Sequence, residues 1–512
     1  MLEIKNLTIK TADEKPLIME LNLVVNSEDK IAIIGEEGNG KSTLLKVINN
    51  KSEVEPYANI SGEVHKHGLV IGYLEQSLDS DWNELPVHEY FVRNSPNSEI
   101  NHEIYTRFNE ISKTLSKLGI SPKTLESEQL IGTLSGGEKV KIQIAKLLQK
   151  NPDILLLDEP TNDLDIETLE WLEELIVSQK IPVMFVSHDE TLLEKTANMI
   201  LHLEQVKSKH EARHTVKKTD YRTYVEEREQ QLFKQSKDHG RERRDYKDDK
   251  RIISHQKSSV RAHQIKIKDS AVRRLLNKKM RNILVQEEKA ESKLVTDKPE
   301  VEDPIFISFD KEASIPNGKK VLDLNIKELK IGERILAKNI ELLVSGPSKV
   351  AIIGDNGIGK TTMLREIYKD LSGREDISVG YMPQNYNDIL NPNMKAINYL
   401  TSDLESVDRD VISAYMGRIK LDWQEMNSKT SQLSYGQKAK LMILKMMVDR
   451  NNVLLLDEPT RNLSAISNPV IREMLKSFNG SIITISHDRK LLREVCDVVY
   501  KLEKDGLKKK IF

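Results

Sequence analysis

Gly35-Glu36-Glu37-Gly38-Asn39-Gly40-Lys41-Ser42-Thr43 (GEEGNGKST) returns further along the chain as Gly354-Asp355-Asn356-Gly357-Ile358-Gly359-Lys360-Thr361-Thr362 (GDNGIGKTT). The first copy follows Lys30-Ile31-Ala32-Ile33-Ile34, which reads as a buried strand, and opens a helix from Lys41; the second has the same setting. A glycine-rich turn between strand and helix aims backbone N–H groups and the positive helix end at an anion. With lysine and hydroxyl closing GxxxxGK[ST], that anion is the tail of a nucleoside triphosphate. Lys41 and Lys360 are expected to bridge the β- and γ-phosphates, and Ser42 and Thr361 to ligate Mg²⁺. An ordinary glycine turn is the alternative, and two complete copies outweigh it.

Three further motifs repeat in the same order. LSGGE (134–138) recurs as LSYGQ (433–437), LLLDEPT recurs at 155–161 and 454–460, and SHD recurs at 187–189 and 486–488. Ser135 to Glu159 and Ser434 to Glu458 are both 24 residues, and each glutamate precedes its histidine, His188 or His487, by 29. The chain is therefore one unit twice over. Asp158 and Asp457 close apolar strands, where a carboxylate can hold Mg²⁺ through water. Glu159 and Glu458 follow and would polarise an attacking water. Adjacent carboxylates could merely cap a helix, but both pairs follow an apolar run. A lone histidine is usually structural; the identical offsets instead predict that His188 and His487 contact the γ-phosphate. The serine and glycines of LSGGE and LSYGQ, at a helix start, form a second anion site. That site becomes useful only when the other half presents it across a sandwiched nucleotide. Short apolar strands such as Pro182–Val186, alternating with helices, predict an α/β fold with a mostly parallel sheet and ligands at the strands' C-terminal ends.

At 512 residues the chain exceeds one hydrophobic core. Its longest apolar runs, such as Ile154-Leu155-Leu156-Leu157, are four residues closed by Asp, far short of the roughly 18 of a bilayer-spanning helix. The N-terminal MLEIKNLTIK lacks a secretory apolar region, and Cys496 is the only cysteine, which excludes an intramolecular disulfide and a cysteine zinc cage. A reducing cytoplasm is the expected location, with no membrane partner.

Composition divides the chain into a first cassette at 1–206, a charged helical linker at 207–300 and a second cassette at 301–512. Helix-spaced apolar residues (Tyr221, Tyr224, Val225 and Leu232, then Val272, Leu275, Leu276, Met280 and Ile283) and no proline from 217 to 298 predict two long helices packed as a hairpin. Arg251 to Arg281 holds ten Lys or Arg against one acidic residue, Asp269. Clustered cations that lack internal partners need a polyanion, so nucleic-acid contact is favoured over a solvated spacer. Residues 252–260 are expected to form the turn.

The order GxxxxGK[ST], Gln, LSGGE, LLLDEPTNDLD, SHD resembles the ABC ATPase family at both ends of the chain. Two cassettes with a charged helical linker and no membrane domain resemble the ABC-F proteins, which act on ribosomes. That resemblance implies a monomer in which the cassettes close head-to-tail over two ATP and Mg²⁺ sites. One site would join Gly35–Thr43, Gln76, Asp158, Glu159 and His188 to Ser434 and Gly436. The other would join Gly354–Thr362, Gln384, Asp457, Glu458 and His487 to Ser135 and Gly137. Gln76 and Gln384 would ligate Mg²⁺ beside Ser42 and Thr361. The linker would reach 23S rRNA, the P-site tRNA and the peptidyl-transferase centre.

Four departures qualify the pattern. No aromatic lies in the 25 residues before either glycine-rich loop, where many such ATPases stack adenine. Ser464 stands where the first cassette has Asp165, so coupling across the two sites should differ; Tyr435 replaces a signature glycine. Gln76 to Ser135 is 59 residues against 50 for Gln384 to Ser434, leaving little room for the arm many ABC-F proteins insert there. A short arm with a long linker resembles the antibiotic-resistance branch acting against lincosamides, pleuromutilins and streptogramin A. A housekeeping translation factor and the ATPase subunit of a membrane transporter are the alternatives. A transporter subunit has no use for the charged linker. A DNA-repair ATPase would need a far longer coiled coil or zinc modules.

Overall fold

In the computed structural model, residues 1–162, 164–206, 211–266, 270–292, 314–402, 409–419 and 421–510 are described. The apolar runs become the centres of two sheets of one design. The first runs in the order Ile71–Leu74, Ile154–Asp158, Val183–Val186, Lys30–Ile34, Met199–Val206 and Glu211–Lys217. The second runs Val379–Met382, Val453–Asp457, Ser481–Ile485, Lys349–Ile353, Val498–Glu503 and Gly506–Lys510. In each sheet five strands are parallel and the last is an antiparallel edge. Ile154–Asp158 and Val453–Asp457 are buried at every residue, as parallel strands covered on both faces must be. Smaller antiparallel layers flank the sheets: Pro16–Val25, Leu2–Thr11 and Ala58–His65 in the first cassette, and the hairpin Lys320–Ile331 with Arg334–Ser345 in the second.

This strand order brings Gly35, Asp158 and Ser187 to one sheet edge, where ligands of open α/β sheets bind. The glycine-rich loops turn there into the helices Lys41–Asn49 and Lys360–Ser372. Gly40 and Gly359 precede those helices with φ of 85° and 108°, a left-handed conformation that only glycine adopts without strain. A Cβ on Gly359 would lie 2.9 Å from the Leu336 side chain.

The cassettes and the helical segment form two compact units, the first from Met1–Tyr221 with Pro304–Phe512 and the second Arg222–Asp303. Within the first unit, charged groups bond across the cassette boundary. Arg472 grips Glu190 with two nitrogens, Arg489 meets Glu173 and Asp189, and Lys490 reaches Glu190 at 3.1 Å and Glu194 at 2.6 Å. Arg472, Arg489, Glu173 and Glu190 are all buried. Tyr221 Oη donates to the Ala465 carbonyl at 3.2 Å.

Composition misplaces the end of the first sheet. Glu211–Lys217 is its edge strand, paired to Met199–Val206 with Leu203 opposite His214. Only Ala212 of that strand is buried, so it carries no apolar run to read. The helices follow as Tyr221–Lys266 and Ser270–Ser292. They fold back on each other: Ile253, Val260 and Ile283 are buried together with Leu276 and Met280 against them, and Lys257 pairs with Glu287. Residues 252–260 are therefore helix, correcting the expected turn. That stretch has no glycine or proline, and its two seam residues need the long helix to reach Ile283. Residues 267–269, between the helices, lie outside the described residues, as does the side chain of Val272. Among the described residues, no helix is long and apolar enough to cross a membrane.

Candidate active site

Two clefts of about 400 Å³ open at the sheet edges, and each is walled by both cassettes. The first is lined by Gly38, Gly40, Lys41, Ser42, Thr43, Gln76, Glu159 and His188 from the first cassette and by Ser434, Tyr435, Arg461 and Asn462 from the second. The second is lined by Asn356, Gly357, Gly359, Lys360, Thr361, Thr362, Gln384, Asp457, Glu458 and His487 together with Gly136, Asn162 and Asp189 of the first. Phosphate loop and signature thus meet across the boundary in both.

The lysines are poised over their own loops. Lys41 Nζ donates to the carbonyls of Gly35 and Glu36 at 2.8 and 2.9 Å, and Lys360 Nζ to those of Gly354 and Asp355 at 2.6 and 3.0 Å. Burial lowers the Lys360 pKa, with the carboxylates of Glu458 and Asp457 opposing that drop. Ser42 Oγ donates to Asp158 at 2.8 Å, and Thr361 Oγ1 to Asp457 at 2.8 Å. Burial pushes both aspartates up to about 6, while the same hydroxyls pull them down. A hydroxyl on a buried carboxylate, with Gln76 or Gln384 in the same cleft, is an oxygen-rich set that fits Mg²⁺.

Glu159 and Glu458 follow those aspartates with φ of 49° and 54°, the left-handed region a non-glycine residue holds at a cost of order 1–3 kcal/mol. The bonds Glu159 N–H to Val186 (3.1 Å) and Glu458 N–H to Ile485 (2.9 Å) fix that turn. The same strain recurs at the same place in both copies. Their environments differ. His188 Nε2 lies 2.8 Å from Glu159, whereas His487 Nε2 is 3.7 Å from Glu458. Burial opposes ionisation of Glu159, but His188 beside it holds the pKa below the ordinary value. Burial prevails at Glu458 and raises it to about 7.

Several expected residues stand behind the walls. Asn39 Nδ2 ties the loop to the Leu203 carbonyl at 2.8 Å, and Ile358 packs on the core. Gly35, with φ of 143°, fits tightly against Leu203, where a Cβ would lie 2.2 Å from the carbonyl oxygen. Gly136 of LSGGE lines the second cleft; Ser135 instead caps its helix with Glu138, and Gly137 packs on Thr168. Gly436 N–H donates to Glu37 Oε2 at 2.8 Å across the boundary. Leu17 lines the first cleft and Ile331 the second, apolar side chains beside loops that no aromatic precedes. Asn162 and Arg461 line both clefts. They hold the same place in the two copies, three residues after Glu159 and Glu458, but differ in type, so no repeated letter marks them.

Two nucleotide clefts completed by opposite cassettes define a tandem-cassette ATPase. The profile of the family described as ABC transporter matches residues 18–162 and 337–461, and the chain belongs to that family. Nearly its whole length is similar to F-type members. Identity is 24% to "ABC transporter F family member 5" of Arabidopsis thaliana, covering 96% of this chain and 73% of the relative. It is 28% to the ATP-binding protein Uup of Buchnera aphidicola (94% and 77%), and 27% to the probable ATP-binding protein YheS of Escherichia coli K12 (94% and 76%). Among solved structures the fold is similar to the archaeal ribosome recycling factor aABCE1, in complex with the stalk protein aP1, with TM-score 0.56 at 16% identity over 96% of this chain and 86% of that one. The RNase-L Inhibitor gives 0.56 at 16% over 98% and 90%.

Proposed function

We propose that this ATPase binds the ribosome in its ATP-bound, closed form and protects translation from antibiotics of the peptidyl-transferase centre. The observation that carries the ribosome reading is the hairpin's cation surface. Arg251, Arg261, Arg274, Lys278, Lys279 and Arg281 are all exposed, on helices with only a small apolar seam. Such a surface suits a phosphate backbone, and the hairpin would reach 23S rRNA and the P-site tRNA. Relatives of the F type and the likeness to a ribosome recycling factor support the same direction.

In each cleft the loop N–H groups and Lys41 or Lys360 hold the triphosphate. Glu159 and Glu458 orient and polarise the attacking water, and His188 and His487 face the γ-phosphate. Ser42, Gln76 and Asp158, with Thr361, Gln384 and Asp457 opposite, would hold Mg²⁺, which neutralises phosphate charge when bound. Signature residues of the other cassette complete the site, so occupancy closes the cassettes and hydrolysis reopens them.

Glu159→Gln with Glu458→Gln keeps the shape but removes the charge. That protein should bind ATP, lose turnover by at least about a hundredfold and co-sediment with ribosomes. Unchanged ATPase would overturn the carboxylate roles. Capture by membranes in place of ribosomes would favour a transporter subunit. Ribosome binding without rescue of translation from a lincosamide or pleuromutilin would leave a housekeeping translation factor.

A further inference from the structure

At the first cleft, one acidic side chain crosses from the phosphate loop into the other cassette. Glu36 accepts from Ser467 Oγ at 2.8 Å, Ser464 Oγ at 3.1 Å and Lys440 Nζ at 3.2 Å. Ser464, Ser467 and Lys440 are buried, and the Glu36 side chain keeps 25% of its surface exposed. Burial alone would raise the Glu36 pKa, but Lys440 and the two hydroxyls hold it down at about 2.

Among the described residues, the counterparts in the second cleft make none of these contacts. Asp355, the counterpart of Glu36, is 72% exposed, with Lys501 at 4.0 Å. Asp165, the counterpart of Ser464, bonds Thr168 N–H at 2.9 Å as the cap of its own helix, Ile166–Ser178. Lys141, the counterpart of Lys440, stands over the Trp171 ring at 5.0 Å. Val470 occupies the equivalent of Trp171, which leaves Lys440 free of any such ring. Both phosphate loops carry a carboxylate at this position; Ser464, in place of an aspartate, takes a second negative charge away from Glu36 and supplies one of its three donors.

We propose that Glu36 is a positioning residue that latches the first cleft, so that its nucleotide is released more slowly than the one in the second cleft. The proposal rests on the two-site ATPase reading. Opening the first cleft would exchange three hydrogen bonds to an ionised carboxylate, one of them from Lys440, for bonds to water, whereas the second cleft opens with no such loss.

The test follows release of a fluorescent ATP analogue from full-length protein carrying Glu159→Gln and Glu458→Gln. Two release phases are expected. Glu36→Ala should speed the slow phase by about tenfold, the loss of a charged hydrogen bond. Glu36→Gln, which still accepts from the serines, should give an intermediate rate. Ser464→Ala with Ser467→Ala, which alters only the other cassette, should reproduce the faster release. Lys440→Ala should do so too, whereas Lys141→Ala leaves both phases unchanged. A single release rate, or an effect of Glu36→Ala that the serine pair does not share, overturns the latch: Glu36 would then only shape its own loop. Fewer than two analogues bound per unsubstituted chain would instead defeat the two-site reading beneath it.

Discussion

Two glutamates with one backbone conformation differ in charge state because of one distance. His188 sits close enough to Glu159 to hold it ionised, while Glu458 is left to burial and rises to about 7 from an ordinary 4.5. A carboxyl whose folded pKa is raised binds its proton more tightly when folded. Its contribution to stability is complete below about 4.5 and is lost as pH climbs through about 7. Glu458→Gln removes that dependence. In nucleotide-free protein with EDTA, its melting temperature should gain on the unsubstituted chain between pH 5 and 7.5, and Glu159→Gln should not. A constant gap across that range would show that Glu458 titrates normally.

At the scale of elements, the sequence was most legible where chemistry is local. Glycine turns, apolar strand runs and the DE pairs each dictate backbone within a few residues, and the clefts formed around them. What was illegible depends on partners far along the chain. Glu36 meets Ser464 and Ser467 more than 400 residues away, and no local pattern announces it. Glu211–Lys217 looked like linker because an exposed edge strand needs no apolar face. The basic stretch looked like a turn at 252–260 because charge says little about helix length. The hairpin predictions follow from its observed seam. Arg274→Gln, Lys278→Gln and Lys279→Gln lie on exposed positions, so thermal stability should change by less than about 0.5 kcal/mol. Ribosome affinity should fall, and its log–log salt slope should flatten by about two to three. Arg273 belongs to the same basic stretch, but its side chain is outside the described residues. Loss of affinity with an unchanged slope would mean the cations do not meet phosphates.

Across the whole molecule, the cassettes share a buried charge network with all its carboxylates but Glu494 on the first and all its cations but Lys195 on the second. Removing one partner is costly because the other stays buried. Arg472→Ala should destabilise the cassette pair by about 3–5 kcal/mol in chemical denaturation. Adding Glu190→Gln should recover a good part of that loss; no recovery would mean Arg472 acts through packing alone. A final consequence comes from the residues that line both chambers, Asn162, His188 and Arg461. They are a party wall, and the single guanidinium in it faces two polyanionic tenants. Whichever nucleotide arrives second meets a cation already screened by its neighbour, so the two binding steps share one electrostatic resource and the isotherm is not a sum of independent sites.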